Sequence, residues 1–155
     1  MKPHSRYAKK LDRKRVLICL IMFFALLPVF SYLHEAGHAL VCIADGNEAE
    51  ISVNFNGGTT LCHGDISNPF PYKISGGLLA GIIGTTIGIA LFRWKIPFIA
   101  LTTIGAGHLV NAVIEAFADS YFTHGTEWSL FLGFIEFVTF FSLLIIFDRK
   151  TVRAV

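Results

Sequence analysis

The chain has 155 residues, of which 54% are hydrophobic and only 15% charged, with 15 phenylalanines and a formal net charge of +2. That is too apolar for an ordinary soluble domain and describes one polytopic membrane domain covering residues 1–155. The basic residues are concentrated at the two ends and in one short loop, flanking hydrophobic stretches. A nucleic-acid role, which needs a basic face on a folded domain, is set aside.

Residues 1–15 carry Lys2, Arg6, Lys9, Lys10, Arg13, Lys14 and Arg15 against a single acid, Asp12, the mark of a segment retained in the cytoplasm. From Val16 to Leu33 the chain is uninterrupted apolar apart from Cys19 and Ser31. A basic start before an apolar run also describes a signal peptide. A signal's apolar core is usually shorter, however, no convincing small-x-small cleavage site follows, and cleavage would cut away the helix that leads into the next residues. The span is expected to run to about residue 44 and stop at Asp45-Gly46. Pro28 within it either kinks the helix or is tolerated by packing.

Inside this span His34-Glu35-Ala36-Gly37-His38 spells H-E-x-x-H. On a helix, positions four apart lie one turn on and about 40° round, so His34 and His38 can grip one metal ion. Zinc held by three protein ligands keeps a fourth position for water and lowers that water's pKa to about 7, and a neighbouring carboxylate can take the proton. Glu35 is the candidate for that catalytic role. Ionisable groups in an apolar helix are costly and usually face a bundle interior or a watery cavity. The competing reading is a turn outside the membrane with solvated histidines.

Hydrophobicity falls from Asn47 to Lys73. Ile51 to Phe55 alternates like a strand, Asn56-Gly57-Gly58 reads as a tight turn, and Thr59 to His63 returns as the second strand of a hairpin. His63 and Asp65 read as solvated polar groups. Ile74 to Phe92 is the second span, with Gly77, Gly81, Gly84 and Gly88 on one stripe that admits a close helix neighbour. After the basic turn Arg93-Trp94-Lys95, Pro97 opens the third span, expected to reach Asp119. His108, Asn111, Glu115 and Asp119 fall along one face of it, a polar stripe that needs partners or serves as hydrogen-bonding glue between helices. Trp128 to Phe147 is the fourth span, and its lone Glu136 has no role assignable from sequence. Cys19, Cys42 and Cys62 show no metal or disulfide-framework spacing; Cys42 and Cys62 can meet outside the membrane, but buried small hydrophobes are the preferred reading.

The fold class is thus an all-α membrane protein with four transmembrane helices, about 16–44, 74–92, 97–119 and 128–147, and a short extracytoplasmic β-hairpin between the first two. Basic residues place both termini and the 93–95 turn in the cytoplasm of a multi-pass cell-membrane protein, with the hairpin and the 120–127 loop outside.

The run HEAGHALVCIADG, followed by ISVNF…GGTT and a glycine-rich helix, resembles the site-2 protease family of intramembrane zinc metalloproteases over roughly Ser31 to Ser120. The resemblance implies a zinc metalloendopeptidase with one Zn2+ per chain, ligands His34 and His38, and a third ligand, an aspartate, on a later helix. It also implies that the hairpin holds a membrane-protein or peptide substrate by adding a strand, and that the glycine-rich helix packs beside the zinc motif. Counting about 1.5 Å per residue from Val16 and Pro97 puts His34 near 27 Å and His38 near 33 Å, with Glu115 near 27 Å and Asp119 near 33 Å. On this ruler His108, near 16 Å, is too deep, and depth does not choose between Glu115 and Asp119. In the family an asparagine precedes the ligating aspartate by the spacing that separates Asn111 from Asp119, which favours Asp119 as the third ligand. Glu115 is then a hydrogen-bond acceptor behind the ligands or the alternative ligand, and Asn111 a substrate or oxyanion contact. The chain departs from the family pattern in having no proline between Asn111 and Asp119, and Ser120 where glycine usually follows. A different class stays open: a non-catalytic four-helix membrane subunit whose structural zinc or hydrogen-bonded His/Glu/Asp cluster ties spans one and three together, with His108 or His124 as a fourth ligand. Besides the lipid bilayer and the substrate, so small a bundle leaves room for a homo-oligomer or a membrane partner that shields its carboxylates.

Overall fold

Asp12 starts the first helix by accepting a hydrogen bond from the Lys14 backbone N–H at 3.1 Å, and α1 (Arg13–Ala44) then continues unbroken through Pro28 for 32 residues. In the computed structural model, which describes residues 12–54, 57–118 and 125–150, α1 is followed by β1 (Glu48–Asn54), β2 (Gly57–His63), α2 (Pro69–Ala90), α3 (Lys95–Phe117) and α4 (Gly125–Lys150). All four helices are long and apolar enough to cross a membrane. At about 1.5 Å per residue, α1 outruns a bilayer core of about 30 Å, so its H-E-x-x-H turn lies towards one end.

Two helices start earlier than the sequence reading has them. α2 begins at Pro69 rather than Ile74, because Asn68 accepts from the Phe70 N–H at 3.1 Å and prolines in a first turn lack only N–H groups that have no helical partner. α3 likewise starts ahead of Pro97, and it ends at Phe117 with Ala118 in an extended conformation, short of Asp119. The strands form a two-stranded antiparallel sheet in which Asn54 pairs with Gly57, so Gly57 and Gly58, expected in the turn, belong to β2. Exposure alternates along both strands, and the covered face lies on the second half of α1.

The glycine stripe does what close packing requires. A methyl on Gly77 would meet the backbone of His108 and Ala112, one on Gly81 the Leu109 side chain, and one on Gly84 the backbone of Gly105, so α2 and α3 touch along their length. α3 is the central helix, packed on α1, α2 and α4. Cys19, Phe98, Ile99, Phe140, Leu144 and Phe147 form one core where α1, α3 and α4 meet, and Phe30, Ala80, Leu101 and Ile104 form another between α1, α2 and α3.

Cys42 and Cys62 form a disulfide, which corrects the reading of both as buried hydrophobes. The sequence separation of 20 residues hid what the hairpin register brings about: Cys62 stands opposite Ala49 on the covered face, above the last turn of α1. Cys19 is a free, buried thiol, as expected.

Candidate metal centre

His34 and His38 are one turn apart on α1 and both buried, with their Nε2 atoms 3.1 Å from each other. Glu115, one of the most deeply buried polar residues of α3, lies across from them: Oε1 is 3.2 Å from His34 Nε2 and Oε2 is 3.6 Å from His38 Nε2. These three side chains can hold a metal ion. Two atoms bound about 2.0–2.1 Å from a tetrahedral zinc are roughly 3.3 Å apart, so the observed separations of 3.1, 3.2 and 3.6 Å suit three vertices of one coordination shell.

Neighbouring groups aim the donors. His38 Nδ1–H donates to the Tyr72 carbonyl at 2.7 Å, which fixes the tautomer with the Nε2 lone pair facing His34 and Glu115. The Ser75 hydroxyl donates to the same carbonyl at 2.8 Å. Asn111 Nδ2 donates to Glu115 Oε1 at 3.1 Å, one turn along α3. The second half of the motif also depends on what it lacks: a side chain on Gly37 would strike the backbone of Ser75 and Gly76, and one on Gly76 would strike the His38 ring. Gly37 and Gly76 therefore let α2 press its first turns against the imidazoles.

Glu35 faces another way. Its carboxylate accepts a hydrogen bond from the Thr60 hydroxyl at 2.7 Å and packs on Gly58, so the covered face of the hairpin sits on it. Glu35 also lines a cleft of about 830 Å³ bounded by Phe24, Leu27, Pro28, Ser31 and His34 of α1, Val53, Asn54, Gly57 and Gly58 of the hairpin, His108 and Asn111 of α3, and Ser129 and Glu136 of α4. Pro28 removes the N–H that would have bonded the Phe24 carbonyl, and both residues stand at this cleft.

Of the candidates read from sequence, the fold brings His34, His38 and Glu115 together and places Glu35 and Asn111 beside them on the cleft. Asp119 and His124 lie outside the described residues. His108 does not join the three-residue group, but its ring centroid lies 5.3 Å from that of His34 and its ring stacks on Phe30, nearer the site than the ruler put it. The ruler counted backbone rise on upright helices, whereas tilt and side-chain reach each move a functional group by several ångströms. His34 Nδ1 is buried with no hydrogen-bond partner among the described residues. Sequence reasoning missed Thr60 and Tyr72. Strand alternation would have placed Thr60 on the covered face, but no local signal marks Tyr72, which acts through its main-chain carbonyl.

No family model, curated protein or solved structure matches the chain.

Proposed function

We propose that the chain is a membrane-embedded zinc metallopeptidase of the site-2 protease kind, cleaving a peptide bond of a membrane protein or peptide in the cleft beside Glu35. The observation that carries this reading is the convergence of His34, His38 and Glu115 at metal-ligand separations, with a carboxylate outside that group, Glu35, on the adjoining cleft. His34, His38 and Glu115 would hold the ion, Glu115 taking the place of the third ligand for which the resemblance favours Asp119. When bound, zinc supplies a Lewis acid that acidifies water and polarises a carbonyl.

The chain's own residues do the rest. Glu35 takes the proton of the attacking water and returns it to the leaving amine, held in position by the Thr60 hydroxyl. The Tyr72 carbonyl keeps His38 in the ligating tautomer, and Asn111 steadies Glu115 while facing the cleft, where its amide suits a substrate carbonyl. The hairpin strands at the rim offer main-chain groups to an extended peptide. The Cys42–Cys62 disulfide supports placing the hairpin on the oxidising, extracytoplasmic side, which agrees with the basic residues Arg13, Lys14, Arg15, Arg93 and Lys95 at the other end of the bundle.

One observation favours a second reading: the His108 ring centroid lies 5.3 Å from that of His34, and a move bringing one of its nitrogens to the ion would make it a fourth protein ligand, closing the coordination shell and leaving a structural zinc. Peptide cleavage by purified protein separates the two. The catalytic reading expects zinc-dependent cleavage that is abolished in Glu35→Gln with zinc still bound; full activity in that variant would sink it.

A further inference from the structure

α4 carries one ionisable residue in its whole apolar run from Trp128 to Phe147, and that residue, Glu136, lines the cleft. A carboxylate on a membrane helix is costly unless something pairs with it. Among the described residues Glu136 makes no hydrogen bond or ion pair, and no Lys or Arg lines the cleft. Its place is nevertheless built. α3 has glycine at 107, and a methyl there would lie 2.7 Å from Glu136 Cγ and 2.9 Å from its Cδ, so the missing side chain is the seat of the carboxyl group. The next residue, His108, touches His34, which joins this seat to the metal centre along one wall.

We propose that Glu136 is the specificity site of the cleft and receives a basic side chain, lysine or arginine, from an otherwise apolar substrate segment. The inference rests on the reading of the cleft as a peptide site. A cation there meets a carboxylate in surroundings of low dielectric, each removing the other's need for water, whereas an acidic side chain would meet Glu136 and Glu35 together. The spacing follows from α3. Gly107 and Glu115 are eight positions apart in sequence, or roughly 12 Å along the helix. An extended peptide advances about 3.3 Å per residue, so the basic residue stands roughly two to four residues from the bond cut once its own length is allowed for.

The test is binding, so that it does not depend on turnover. Zinc-loaded Glu35→Gln protein in detergent is titrated with fluorescent apolar peptides identical except for lysine, acetyl-lysine, norleucine or glutamate at one position. Lysine is expected to bind at least about tenfold more tightly than norleucine or acetyl-lysine, and glutamate most weakly. Adding Glu136→Gln should bring the lysine and norleucine affinities together while leaving the norleucine affinity unchanged. Gly107→Ala, which keeps the charge but displaces it, should narrow the difference too. Equal binding of lysine and acetyl-lysine peptides by the Glu35→Gln parent would overturn the inference without any variant at position 136, as would a lysine preference that survives Glu136→Gln. Failure of the peptidase reading is seen separately, as wild-type protein that cuts none of these peptides while still discriminating among them.

Discussion

Gly37 is the motif position whose replacement should harm the site most for the smallest chemical change. A methyl there lies 2.7 Å from the Ser75 carbonyl carbon and 2.8 Å from Gly76 Cα, and closer still to the Ser75 carbonyl oxygen. All of these are backbone atoms, which cannot swing aside as a flexible side chain does. Carbon atoms prefer separations of about 3.5–4.0 Å, so α2 must retreat by roughly 0.7–1.2 Å. That retreat stretches the His38–Tyr72 hydrogen bond from its present 2.7 Å towards the limit of hydrogen bonding. Overpacking of this kind costs about 1–3 kcal/mol, against which alanine's better helix propensity returns about 1 kcal/mol. Gly37→Ala should therefore lose up to about 2 kcal/mol of stability, and weakening the group that orients His38 should cost about 10–100-fold in zinc affinity. Gly133 of α4 is the matched control: nothing lies within 4 Å of a methyl there, so Gly133→Ala should be neutral or slightly stabilising. Denaturant unfolding in detergent and a zinc-chelator competition titration read the two effects. A Gly37→Ala protein that equals wild type in both would refute the packing argument.

Thr60→Val removes the hydroxyl that holds Glu35; hydrogen bonds to charged groups contribute about 1.5–3 kcal/mol, so cleavage should fall by roughly 10- to 150-fold with zinc content unchanged, as steady-state kinetics and metal analysis can show. Replacing Cys42 and Cys62 together by serine frees the hairpin from α1 at a cost of about 3 kcal/mol, seen in unfolding, and should lower cleavage more than it lowers zinc content because the ligands are on helices. Zinc analysis of Glu115→Ala and Asp119→Ala decides the third ligand: loss in the first and stoichiometric zinc in the second is expected, and the reverse result would return the role to Asp119.

The four helices and the hairpin were legible because apolar runs and strand alternation are local signals, and H-E-x-x-H was legible because both histidines belong to one helix. What stayed hidden depends on contacts between elements. Sequence put His108, Asn111 and Glu115 on one face of α3, but only packing against α1 shows that Glu115 reaches both imidazoles while His108 stacks between His34 and Phe30. The start of α2 at Pro69 was obscured because proline, a helix breaker in most positions, is harmless in a first turn. The same early turns carry the Tyr72 carbonyl, which orients the His38 ring and which no side-chain pattern announces. The disulfide needed the hairpin register, which sets Cys62 on the covered face beside Cys42.

The most direct measurement is the metal content of purified protein together with X-ray absorption at the zinc edge. The account predicts one zinc per chain, bound about 2.0–2.1 Å from two imidazole nitrogens, with oxygen in the remaining positions from Glu115 and one exchangeable water. Protein that holds no zinc above background, or zinc with a third imidazole completing an all-protein shell, would contradict it.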